Sequence, residues 1–79
     1  MKKELNMEEL DSVVGGVVYL SKDWMKIGFS TLGQTFSLQN CTFGQAFALA
    51  DSIYEQYKDQ GNAVVDQKTK EAFENKGWI

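Results

Sequence analysis

Arginine, histidine and proline are absent from this 79-residue chain, and it has a single cysteine. Each shortage removes a class of function. Without arginine there is no bidentate fork for phosphate or guanine, and a formal net charge of −3 disfavours a polyanion, so nucleic acid is not expected as a partner. Without histidine there is no imidazole base and no imidazole metal ligand. Cys41 alone cannot close a disulfide within the chain, the support that many small secreted domains depend on. No phosphate-binding loop is present either, so the chain is not expected to be an enzyme, to hold a metal or to carry a cofactor. Long apolar runs are also missing. The weakly apolar stretch from Thr42 to Ala50 falls far short of the roughly 18 residues that a membrane span needs. Lys2 and Lys3 begin like a Sec-type signal, but Glu4, Glu8, Glu9 and Asp11 occupy the place of its apolar core. With no proline, nothing marks a rigid spacer.

What is present suits one small domain. Hydrophobic residues make up 43% of the chain, too many for compositional disorder, although so short a chain has a thin stability margin. Composition changes at the pair Gly15-Gly16. Every aromatic residue, from Tyr19 to Trp78, lies beyond it, while Glu4, Glu8, Glu9 and Asp11 crowd the segment before it. The N-terminal segment therefore has little to bury, and residues 17–79 hold nearly all the large core candidates. A detachable segment joined to separate cargo would have this composition.

The expected fold class is α+β: a small antiparallel meander followed by two helices, preceded by a short helix over Leu5–Val14. In that first helix Leu5, Met7, Leu10, Val13 and Val14 fall near one side, with Asn6 as N-cap and Glu9 three residues on. Alone in water it is too short to persist, since isolated helices under about 12–15 residues are marginal. Val17–Leu20 suits a strand, Ser21-Lys22-Asp23 a turn, and Trp24–Ser30 and Gln34–Leu38 alternate as strands on either side of Gly33. Thr42 and Gln45 have capping-box spacing ahead of a helical stripe of Phe43, Phe47, Ala50, Tyr54 and Tyr57, flanked by Ala46 and Ile53, with Gly61 as its stop. A last helix is expected from Asp66 as N-cap to Lys76, ended by Gly77, with Ala72 and Phe73 facing inward.

The segment Leu5-Asn6-Met7-Glu8-Glu9-Leu10-Asp11-Ser12-Val13-Val14-Gly15-Gly16 closely resembles the double-glycine leader of bacteriocins and related secreted peptides. Leu5, Asn6, Glu9, Leu10, Val13, Gly15 and Gly16 match that pattern at its spacing, with Asn6 standing where serine is commoner. The resemblance covers residues 1–16 only. It implies a leader over 1–16 and a secreted, bacteriocin-like cargo over 17–79. In the family, a papain-like peptidase domain fused to an ABC transporter cuts after the second glycine, here between Gly16 and Val17. Glycines suit a narrow channel that excludes any Cβ, and Leu5, Leu10 and Val13 would seat an amphipathic helix in an apolar groove with Glu9 near a basic rim. The catalytic groups belong to the transporter. An immunity protein or a target-cell receptor is the further partner implied. Detachability adds an expectation: residues 1–16 should contribute nothing to the core of the cargo.

The remaining features have ordinary readings beside sharper ones. Cys41 fits a small buried hydrophobe, although it could also be a nucleophile, a thioether donor to nearby Ser or Thr residues, or an intermolecular disulfide partner. The Phe43–Tyr57 stripe reads as core, with membrane contact left open. Asp51, Glu55 and Asp59 against Lys58 alone count against anionic-lipid attraction. Asp51 and Glu55 read as a solvated face rather than a cation site. Val17-Val18-Tyr19-Leu20 is not the Tyr-Gly-Asn-Gly-Val box of pediocin-like bacteriocins. The competing function is a small cytoplasmic α+β protein-binding module in which the Gly-Gly pair is coincidental.

Overall fold

The computed structural model describes residues 12–79. Its elements are β1 (Ser12–Val14), β2 (Val18–Ser21), β3 (Lys26–Phe29), β4 (Gln34–Ser37), α1 (Phe43–Tyr57), a single 3-10 turn (Lys58–Gln60) and α2 (Asn62–Asn75). The strands form one antiparallel sheet in the order β1-β2-β3-β4, and the two helices follow it, so the fold is α+β. Val18 stands opposite Phe29, Leu20 opposite Ile27, and Ile27 opposite Phe36. Because successive strand residues alternate between faces, these residues share one face. Val18, Leu20, Ile27 and Phe29 are fully buried, and Ala46 and Ala50 of α1 with Val65 and Phe73 of α2 join their cluster. On the opposite face Lys26 Nζ donates to Ser37 Oγ at 3.1 Å.

The expected meander is present, with a shifted third strand. Met25 has φ 49, so the turn after β2 runs through it and β3 begins only at Lys26. The Trp24 N–H donates to Ser21 Oγ at 3.1 Å, which leaves the indole 56% exposed at the turn. The capping box of α1 forms as expected. The Gln45 N–H donates to Thr42 Oγ1 at 3.1 Å, and the Thr42 N–H donates to Gln45 Oε1 at 2.9 Å. The buried stripe of α1 is rotated from the expected one. Ala46, Ala50 and Ile53 are its buried residues, while Phe47 is 37% exposed and stacks on Phe43 at 6.4 Å. Alanines allow a helix to lie close to its neighbours, and the larger rings then flank the contact.

Helix α2 starts at Asn62, one turn before the expected Asp66 cap. The helix ends in a Schellman motif. The Trp78 N–H donates to the Phe73 carbonyl at 2.9 Å and the Gly77 N–H to the Glu74 carbonyl at 3.0 Å, with Gly77 at φ 75. The apolar contact that accompanies such caps is present too, as the rings of Phe73 and Trp78 meet in a T shape at 5.5 Å.

Asp66 serves a longer-range purpose than capping. It is fully buried, and Thr31 in the β3–β4 turn donates both its N–H (2.8 Å) and its hydroxyl (2.6 Å) to Oδ2. Asp66 thereby ties the turn to α2, while its Oδ1 is buried without a hydrogen-bond partner. Burial pushes the carboxyl above its ordinary value of 3.8, and the two Thr31 bonds partly oppose that shift. The folded state therefore binds this proton more tightly than the unfolded state. The linked stability is fully present below 3.8 and is lost as pH rises through the raised value. We expect the unfolding free energy of the protein, minus that of Asp66→Asn, to fall as pH rises above 3.8 in urea titrations. A difference that stays flat would show that no proton is linked to folding at this carboxyl.

Candidate processing site

Gly15 and Gly16 sit at the tip of the β1–β2 hairpin, flanked by Val13-Val14 on one side and Val17-Val18 on the other. Valine favours extended backbone, and a glycine pair supplies two positive φ angles without steric cost. Gly15 has φ 61 and Gly16 φ 75, the combination that the primed turns of hairpins require. The Val17 N–H closes the turn on the Val14 carbonyl at 3.1 Å, and the Val17 carbonyl accepts from the Ser30 N–H at 2.9 Å. From the outer face of the sheet, the Tyr19 hydroxyl donates to the Gly16 carbonyl at 3.3 Å. Both glycines are exposed, whereas Val17 is only 1% exposed.

Strand β1 corrects part of the helix expected over Leu5–Val14. Ser12, Val13 and Val14 pair with Leu20, Tyr19 and Val18 as an antiparallel strand. The rest of that helix, including the proposed recognition residues Leu5, Glu9 and Leu10, lies outside the described residues. Val13 points away from the core and is 49% exposed. Val14 points inward and is 3% exposed, a member of the same cluster as Leu20 and Phe73. The expectation that residues 1–16 leave the core alone is therefore corrected at Val14. Strand alternation is the reason, since pairing β1 with β2 must turn either Val13 or Val14 toward the helices.

The two glycines are not equivalent. A Cβ on Gly15 would overlap the ring of Tyr54 on α1, whereas a Cβ on Gly16 would meet nothing within 4 Å. Any residue with a Cβ bears a left-handed strain of about 1–2 kcal/mol at either position. Gly15→Ala must also displace a half-buried ring that packs against the core. We therefore expect Gly15→Ala to lower the unfolding free energy by at least about 1 kcal/mol more than Gly16→Ala does. Equal urea midpoints for the two variants would show that the Tyr54 contact carries no energy.

Tyr19 and Tyr54 are the residues around the glycines that sequence reasoning missed. Alternation within β2 could have placed Tyr19 beside the turn, but no local pattern connects Tyr54 with Gly15, which lies far away in the chain. The other candidates have structural roles. Cys41 is half-buried against the core, and burial pushes its thiol up, away from the reactive thiolate. Glu55 pairs with Lys58 at 2.9 Å, and Asp51 is exposed on the same helix. Among the described residues no group of three His, Cys, Asp or Glu is placed to hold a metal, and no helix is long and apolar enough to cross a membrane. No protein-family model matches the chain, and neither a curated protein nor a solved structure is similar to it.

Proposed function

We propose that the chain is the precursor of a secreted, bacteriocin-like peptide, cut between Gly16 and Val17 by the peptidase domain of an ABC transporter during export. The observation that carries this reading is the exposed Gly15-Gly16 pair at a hairpin tip, directly after a segment that resembles a double-glycine leader. The chain is the substrate in this reaction. The peptidase thiolate attacks the Gly16 carbonyl carbon, the Gly16–Val17 C–N bond breaks, and the amine of Val17 leaves with a proton from the peptidase's acid. Water then hydrolyses the thioester, releasing the leader with a carboxylate at Gly16 and returning the thiol. An immunity protein and a target-cell receptor are the partners of the released peptide.

A second reading has its own support. Val14 in the core and Tyr54 against Gly15 suit a domain that functions uncut, as a small protein-binding module whose Gly-Gly pair is only a turn. The mass of the chain in producing cells and in their medium separates the two. The precursor reading expects a species beginning at Val17 in the medium, dependent on the transporter. Full-length chain confined to the cells, with no such species, would overturn the precursor reading.

A further inference from the structure

The peptide group joining Gly16 to Val17 has both of its polar atoms engaged within the fold. Its oxygen accepts from the Tyr19 hydroxyl at 3.3 Å, and its N–H donates to the Val14 carbonyl at 3.1 Å. The chain on either side is anchored as well. Val14 is 3% exposed, Val17 is 1% exposed, and Gly15 lies against the Tyr54 ring. A cysteine peptidase needs the opposite arrangement. It must lay the bond in an extended conformation beside its thiolate and aim its own donors at the carbonyl oxygen as that atom gains charge. Two successive residues at left-handed φ do not form an extended chain. The groove that holds the leader must also approach a segment whose last residues are hydrogen-bonded into a sheet.

We infer that the folded precursor withholds its own cleavage site, and that the peptidase cuts only molecules in which β1 has come away from β2. This inference rests on the processing reading above and adds the regulation of the same site. Hairpin opening is a local event whose free energy lies between zero and that of global unfolding. The cutting rate is then the rate for a free chain multiplied by the fraction of molecules open. Folding acts as the brake, and the transporter, by drawing the chain in from its N-terminus, releases it. A precursor that folds in the cell thus keeps its leader until it is engaged for export.

The test compares the intact chain with a synthetic peptide of residues 1–24, which carries the leader and the cleavage site but lacks both helices. Both are incubated with the isolated peptidase domain of the transporter. We expect the intact chain to be cut at Gly16–Val17 with a kcat/KM at least about ten-fold below that of the peptide. Tyr54→Ala, which removes the ring beneath Gly15 and leaves residues 1–24 unchanged, should raise the kcat/KM of the intact chain at least about three-fold toward that of the peptide. Equal kcat/KM for the intact chain and the peptide overturns the inference. Hydrogen exchange at the Val17 amide gives a readout independent of the peptidase. Protection supports a withheld bond, and exchange at the free-chain rate overturns it. A peptide that is itself left uncut defeats the processing reading, and the Val17 amide then decides by itself whether the bond is closed.

Discussion

Gly16→Val is expected to abolish release of the fragment beginning at Val17, with a loss of at least about 10²-fold in the rate of cutting. Two effects of opposite sign meet at this position. A valine at φ 75 is a true conformational outlier, so the substitution loosens the hairpin turn and favours the open molecule. By itself that change would speed cutting. A branched Cβ next to the scissile carbonyl, however, cannot enter a channel shaped for glycine, and a misplacement of even 1 Å can cost about 10²-fold in rate. The steric effect acts on every open molecule, whereas loosening can at most remove the folding brake, so the loss dominates. A time course read by mass spectrometry, alongside the same substitution in the 1–24 peptide, checks the expectation. Unimpaired cutting in both would dispose of the steric argument.

Phe73→Ala has the largest expected effect on the fold. Phe73 is fully buried, meets Trp78 at 5.5 Å, and lies in the cluster that joins the sheet to both helices. Truncating a buried phenylalanine typically costs about 3–5 kcal/mol, because transfer energy is lost and a cavity remains. The stability of a domain this small is of the order of 4–12 kcal/mol, so the substitution takes a large part of it. We expect the thermal midpoint to fall by more than about 10 °C, or the cooperative transition to vanish at room temperature. A drop of only a few degrees would place Phe73 outside the energetic centre of the core. The same variant should be cut faster by the peptidase, because global unfolding also opens the hairpin.

The parts of the fold legible in the sequence were those specified locally. The capping box at Thr42 and Gln45 and the stop at Gly77 depend on residues within one or two turns of each other, and both formed as read. The β-branched run of β2 and the alternation in β3 and β4 are legible for the same reason. The start of α2 was misread because Asp66 resembles an N-cap while its partner, Thr31, lies on a distant turn. Strand β1 was missed because Leu5–Val14 also fits a helical period, and that pattern masked a hairpin signal. Val13-Val14-Gly15-Gly16-Val17-Val18 has β-branched pairs on both sides of two glycines, which is how a tight hairpin is written. At the candidate site the glycines were legible, but their contact with Tyr54 was not, since only the packing of α1 beneath the turn creates it.

Among the described residues, strand β1 has three residues and is all that lies beyond β2 in the sheet. Under the proposed processing, cleavage after Gly16 would remove it and make β2 an edge. The backbone groups of β2 that face β1 would then be left unpaired. Natural edges are blunted by lysine, proline or a bulge, and the run Val17-Val18-Tyr19-Leu20 contains no lysine and no proline. In the uncut chain β1 covers this strand, so an exposed edge here is expected only once residues 1–16 are gone. Trimming only at export, as proposed, would postpone that exposure until the peptide leaves the cell.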